Sequence, residues 1–240
     1  MELFTKMKSG NQGRLFCFPY LGGYVNSFGD LIQSFHHNLE VWVANPPGHL
    51  GSNLNLVSDI DTLTNLYYEE IGSLISEKSC FLGHSMGGVV AFSLINKIAA
   101  NGKSPLPEKL ILSATSMPDT FAEKQYSSFS DDDLVEVLKS YGGLPAPLLA
   151  NGELMDIMRP IFRADYKILE SAAAKLQKID VETLILWGEN DRVETIENAY
   201  LWKNLLRRGL NVVTLKKASH LFIHDRAAEV ADHVEKFMGL

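Results

Sequence analysis

The stretch FLGHSMGGVVAF, Phe81–Phe92, decides the fold. It belongs to a short apolar run that starts at Ser79 (SCFLG), and from Gly87 to Ile98 its apolar residues recur at helical spacing. Where the period changes, Gly83, Ser85 and Gly87 satisfy G-x-S-x-G. Five residues alone match by chance, but a strand before and a helix after give the pattern a mechanical meaning. A sharp strand-to-helix turn lifts Ser85 out of a sheet, and small neighbours leave it room. Ser85 is therefore the candidate nucleophile; a merely polar turn residue would explain neither the flanking glycines nor the change of period.

Similar apolar runs occur at RLFCF (from Arg14), VWVA (Val41), KLILSA (Lys109), TLILWG (Thr183) and NVVTL (Asn211). None alternates strictly, as expected of strands covered on both faces. Between them lie helical segments. Ser58 with Asp61 forms a capping-box pattern ahead of Leu63, Leu66 and Tyr67, and Asn198–Leu206 and Ala227–Phe237 carry further helical stripes. Strands alternating with helices imply an α/β fold with a mainly parallel sheet flanked by helices, in one domain over residues 1–240.

One interval breaks the rhythm. About 70 residues separate KLILSA from TLILWG, far more than a crossover needs. Within it Ser130, followed by Asp131, Asp132 and Asp133, caps a helix with Leu134, Val137, Leu138 and Tyr141 on one face, and GGLPAP (142–147) ends it. The Asp run suits the positive end of a helix and lacks the alternating ligands and glycine of a calcium loop. A second helix carries Leu154, Ile157, Met158, Ile161, Phe162 and Leu169 at helical intervals, interrupted or kinked at Pro160. The insertion, about 117–180, reads as a helical lid, with packing on the sheet as the other reading of the same stripes. Its Leu154, Met155, Met158 and Phe162 are candidates for contacting an apolar substrate, because methionine adapts its shape; ordinary packing would also explain them.

A serine hydroxyl needs a base to take its proton and a carboxylate to orient that base. In a strand-elbow-helix arrangement these follow the serine in the order acid, then histidine. Asp191 lies just past TLILWG and His220 just past NVVTL, so both loops fall at the same sheet edge as Ser85. Glu189 is the rival acid, but Asp191 stands farther beyond the strand end. Among other histidines, His36, His37 and His49 precede the serine, His224 and His233 fall near or within the last helix, and His84 packs beneath the elbow. The oxyanion hole requires two backbone donors. Met86, directly after the nucleophile, supplies one; the loop FPYLGGYVNSF supplies the other, assigned to Leu21 with Tyr20 next, because Gly22 and Gly23 allow close approach.

Composition narrows the function. The net charge of −7 disfavours general binding to nucleic acid or anionic membrane. The N-terminal stretch lacks the apolar core of a signal peptide, and no run of about 18 apolar residues occurs, so a cytoplasmic protein is expected. Cys17 and Cys80 sit in apolar runs and read as reduced core residues. GxxxxGK[ST], CxxC and HExxH are absent, leaving no motif for nucleotide or zinc chemistry.

FCFPYLGGYVNSF, ANPPGH, GHSMGG, WGENDRV and SHLF together resemble, in order and spacing over nearly the whole chain, the stand-alone type II thioesterases of nonribosomal peptide and polyketide synthases. The resemblance implies an α/β-hydrolase fold with a lid. It implies hydrolysis of acyl groups from the phosphopantetheine arm of acyl or peptidyl carrier protein domains, in antibiotic-type biosynthesis; a monomer is expected, and triad chemistry calls for no cofactor and no metal. Ser85, Asp191 and His220 take the catalytic roles. A small-molecule carboxylesterase or an acyltransferase would use the same triad, and a non-catalytic binding protein on this scaffold is the remaining class. Lys203, Arg207 and Arg208, read as one helical cluster, could face an acidic carrier or simply solvent.

Overall fold

The computed structural model describes residues 2–140, 150–193 and 195–240. Among the described residues seven strands form one sheet in the order β1-β3-β2-β4-β5-β6-β7. The apolar runs become β2 (Arg14–Phe18), β3 (Glu40–Ala44), β4 (Ser79–His84), β5 (Lys109–Ser113), β6 (Glu182–Gly188) and β7 (Leu210–Leu215), all mutually parallel where they pair. The sequence reading missed β1 (Phe4–Lys8), which pairs antiparallel with β3 at the sheet edge. Of its residues only Phe4 is buried, while Lys6 and Met7 are exposed, so it shows no apolar run; lysine on an edge also discourages pairing with another chain.

Neighbouring strand residues feed two separate cores. Phe16 and Phe18 pack with α2 (Ile60–Ile71), α3 (Met86–Asn101) and the insertion, whereas Leu15 and Cys17 pack with α1 (Gly29–Ser34), α8 (Phe222–Asp225) and α9 (Ala227–Met238) on the other face. This two-sided burial explains the near-continuous apolar strands. Cys17 and Cys80 are free and buried, and burial raises both thiols well above their ordinary pKa.

The insertion between β5 and β6 holds α4 (Asp119–Lys124), α5 (Asp131–Ser140) and α6 (Gly152–Ala172). Ser130 caps α5 as expected: its Oγ accepts from the Asp133 N–H at 3.2 Å and donates to the Asp133 carboxylate at 2.6 Å. Tyr141 and the stretch 142–147 lie outside the described residues. Two expectations are corrected. α6 continues through Pro160 without interruption, held by a long buried face from Met155 to Leu169. The cap of α2 is Asp59, which accepts from Thr62 N–H at 3.0 Å, not Ser58. A third concerns the basic cluster. Lys203 lies in a single 3₁₀ turn that follows α7 (Ile196–Leu201), Arg207 and Arg208 lie beyond that turn, and Arg208 pairs with Asp180 at 2.8 Å. Among the described residues no helix is long and apolar enough to cross a membrane.

The chain leaves β2 outward to β3 and returns to place β4 on the other side of β2. The carboxyl ends of β2 and β4 therefore flank a topological switch point, where open α/β sheets form ligand crevices. There the backbone is packed too tightly for side chains. A Cβ on Gly87 would fall 1.9 Å from the Phe18 carbonyl oxygen, and one on Gly83 would fall 2.2 Å from the Gly87 backbone. Gly88 is confined as well, by Thr115 at 2.1 Å. Gly87→Ala is expected to lower folding stability by about 2 kcal/mol or more, since only backbone movement relieves the clash. Urea denaturation measures it, and an unchanged midpoint would contradict the packing.

Candidate active site

Ser85 sits between β4 and α3 with φ 53° and ψ −120°, a conformation that L side chains rarely adopt. Such strain costs about 1–3 kcal/mol and persists only where the surroundings over-determine it. Here β4, β5 and the start of α3 do so: the Ser85 N–H donates to the Ser113 carbonyl at 2.7 Å, and the Gly88 N–H donates to the Ser85 carbonyl at 3.0 Å. The hydroxyl is thereby held above the sheet edge.

The structure brings the three expected side chains together. His220 Nε2 lies 3.0 Å from Ser85 Oγ, and His220 Nδ1 lies 2.8 Å from Asp191 Oδ2. A carboxylate only accepts, so Nδ1 carries a proton for Asp191 and Nε2 is free to accept from the serine hydroxyl. The Asp191 side chain is fully buried, and its Oδ1 accepts from the Val193 N–H at 2.8 Å.

The loops after β6 and β7 hold each other. Asn190 N–H donates to the Ala218 carbonyl at 2.9 Å, and Glu189 N–H donates to the Leu215 carbonyl at 3.0 Å. Glu189, the rival acid, instead accepts from Lys217 N–H at 2.8 Å, fixing a residue whose φ is 58° just before the histidine. Gly188 is required by this approach, because a Cβ there would lie 2.7 Å from the Ala218 carbonyl oxygen.

The other histidines separate by environment. His36 and His37 pair with Asp232 and Glu235 of α9, and His224 lies 2.9 Å from the Tyr20 hydroxyl. His84 is wholly buried beneath the elbow, with Nδ1 2.8 Å from Ser113 Oγ and its ring 5.6 Å from that of His220. Burial, reinforced by His220 and His224, lowers its pKa well below the ordinary value and keeps it neutral. His49 is the residue that chain order undervalued. It is buried, its Nε2 lies 3.1 Å from Asp165 Oδ2 on α6, and its Nδ1 lies 3.2 Å from the Pro47 carbonyl. Burial alone would lower its pKa, but the Asp165 carboxylate outweighs that and raises it.

An apolar cavity opens over Ser85, walled by Leu21, Phe121, Leu138, Tyr166, Leu169 and Val193. None of Leu154, Met155, Met158 and Phe162 is among the residues that wall it. Met155, Met158 and Phe162 are buried, and Phe162 with Met158 packs under Gly22, where a Cβ would lie 2.5 Å and 3.1 Å from their nearest atoms. Periodicity identified the buried face of α6 but not which of its turns lies over the serine. A second, polar cleft of about 710 Å³ adjoins the first at His220 and Leu221 and is lined by Lys139, Arg192, Lys217 and Ser219.

The loop after β2 forms a tight turn over the same site. Gly23 N–H donates to the Tyr20 carbonyl at 2.7 Å, and Gly22 has φ 72°, the positive value that a type II turn requires at its third position. Leu21 occupies the second position and borders the cavity beside Ser85. Among the described residues no group of three or more His, Cys, Asp or Glu side chains could hold a metal ion.

A nucleophilic serine, a base and a buried acid at hydrogen-bonding distance are suited to acyl transfer through an acyl-serine. The thioesterase domain model matches residues 13–238. The chain belongs to the thioesterase domain family. This thioesterase is 27% identical over 239 residues to the gramicidin S biosynthesis protein GrsT of Aneurinibacillus migulanus, covering 98% of this chain and 93% of the relative. It is 26% identical over 226 residues to the medium-chain S-acyl fatty acid synthase thioesterase of Homo sapiens, covering 90% and 83%. Its fold is similar to YbtT, the type II thioesterase from the yersiniabactin NRPS/PKS biosynthetic pathway, with a TM-score of 0.85 at 23% identity over 99% of this chain and 98% of the other. BorB, the type II thioesterase from the borrelidin cluster, gives 0.86 at 20% identity over the same shares. The fold is that of the α/β-hydrolase thioesterases, and the protein is a thioester hydrolase.

The neutral His84 generates a pH signature. The unfolded chain takes up a proton on this residue as pH falls through about 6.5. The folded chain does not, so stability is lost on acidification. The Tm advantage of the wild type over His84→Asn is expected to shrink between pH 8 and pH 5 in calorimetric scans; a difference independent of pH would contradict a neutral buried imidazole.

Proposed function

We propose that this thioesterase edits a nonribosomal peptide or polyketide synthase by hydrolysing acyl groups from the phosphopantetheine arm of its carrier protein domains. The observation that carries the reading is the Ser85–His220–Asp191 hydrogen-bonded chain at the junction of an apolar cavity and a polar cleft. The acyl group enters the apolar side against Phe121, Tyr166 and Leu169. The amide-rich arm lies in the polar cleft, whose size falls within the range of about 300–1,000 Å³ common to small-ligand sites. The relatives named for gramicidin S biosynthesis and for a fatty acid synthase support a carrier-bound thioester as the substrate. Residues of about 117–180 serve as the lid, with α6 as its cavity wall.

In this scheme His220 takes the Ser85 proton as Oγ attacks the thioester carbonyl. The N–H groups of Met86 and Leu21 hold the oxyanion. Collapse of the tetrahedral intermediate breaks the C–S bond; the thiol departs with a proton from His220 and leaves an acyl-serine. Water, deprotonated by His220, attacks the ester, and its breakdown returns the proton to Ser85 and releases the acid. Asp191 orients the imidazole and stabilises its protonated form. Each proton passes through His220 and no electrons are exchanged, so the chemistry calls for no cofactor.

Hydrolysis of one acetyl group presented on a phosphopantetheinyl carrier protein and as a simple oxygen ester tests the assignment. A strong preference for the carrier supports it, and equal or better ester cleavage would favour a small-molecule esterase. On the carrier substrate, Ser85→Ala and Asp191→Asn are each expected to lower kcat by on the order of 10³-fold or more with the fold intact by circular dichroism. Turnover by Ser85→Ala close to wild type would remove Ser85 as nucleophile.

A further inference from the structure

Asp165 presents a chemistry that the triad does not use. It is fully buried on α6, within the apolar face that includes Phe162, Tyr166 and Leu169. Its Oδ2 accepts from the Gly22 N–H at 2.7 Å and lies 3.1 Å from His49 Nε2. Its Oδ1 has no partner among the described residues. An isolated carboxylate in such surroundings is costly, so its retention requires donors that satisfy it. His49 faces two acceptors, the Asp165 carboxylate and the Pro47 carbonyl, so both ring nitrogens donate when the imidazole is protonated.

The geometry points to Asp165, held by His49, as a positioning residue that fixes the Leu21 N–H in the oxyanion hole. Leu21 is bracketed by two pinned groups. The Tyr20 carbonyl on one side accepts from Gly23 N–H, and the Gly22 N–H on the other donates to Asp165. The Tyr20–Leu21 peptide, which bears the Leu21 N–H, cannot turn without breaking the Tyr20–Gly23 bond, and Asp165 pins the Leu21–Gly22 peptide that follows, so Leu21 is held at both ends. Because Asp165 belongs to the helix whose Tyr166 and Leu169 wall the cavity, the lid and the oxyanion donor are joined by one side chain. The inference rests on the acyl-serine reading above and extends it to a residue that never touches the reacting atoms.

Loss of an oxyanion donor costs about 10²–10³ in kcat, and a misplacement of about 1 Å costs up to about 10². Steady-state hydrolysis of acetyl-coenzyme A by Asp165→Ala is expected to show kcat lowered about ten- to a hundredfold with KM within about twofold. The inhibition constant of an acyl-trifluoromethyl ketone, whose hemiketal oxyanion occupies the hole, should rise by a similar factor. Asp165→Asn keeps the shape and an accepting oxygen but loses the charge, so it should retain more kcat than Asp165→Ala while falling severalfold below wild type; it decides the matter should Asp165→Ala not fold. Unchanged kcat in the folded variants, or a rise in KM alone, overturns the positioning role. Ser85→Ala, assayed beside them, separates the cases: if it is inactive while both Asp165 variants match wild type, only the positioning role fails, whereas an active Ser85→Ala overturns the acyl-serine reading and this inference with it.

Discussion

Everything at the site depends on the close backbone approach at the elbow. β4 must turn into α3 within one residue while α3 presses against the end of β2, and the contact is too tight for a Cβ at Gly83 or Gly87. That packing forces Ser85 to φ 53° and sets its hydroxyl clear of the sheet. Strain of about 1–3 kcal/mol is held there by the two cores on either side of the sheet. The same crossing fixes the Met86 N–H at the start of α3 beside the loop after β2, so Ser85 and the two backbone donors proposed for the oxyanion share one mechanical origin.

The second constraint is the pairing of the loops that follow β6 and β7. Gly188 lets them meet, Asn190 and Glu189 tie them through backbone bonds, and the Glu189 carboxylate fixes Lys217. Asp191 and His220 then face each other because their loops cannot separate. Beneath them burial keeps His84 a neutral imidazole, which places no positive charge beside the His220 ring.

Sequence pattern showed Ser85, Asp191 and His220 because they lie where a parallel sheet must put them, at the carboxyl ends of β4, β6 and β7, with glycines at the first two marking close approach. β1 escaped because an edge strand with one inward residue carries almost no hydrophobic signal. The insertion was legible as two amphipathic helices, but periodicity defines a face and not a depth, so Met158 and Phe162 were expected at the cavity where Tyr166 and Leu169 stand. Asp165 left a trace that could have been read. It sits three residues after Phe162 and four before Leu169, a carboxylate inside an apolar stripe, and a buried acid there requires a partner such as His49 of PPGH.

The central claim is that Ser85, in its strained turn, carries the acyl group during turnover. Rapid quenching of the enzyme with acetyl-phosphopantetheinyl carrier protein, followed by intact and peptide mass spectrometry, tests it most directly. An acetyl adduct on the peptide that contains Ser85, formed and lost at the rate of turnover and absent from Ser85→Ala, is the expected result. Full turnover with no adduct at any quench time, or an adduct confined to another residue, would contradict the account.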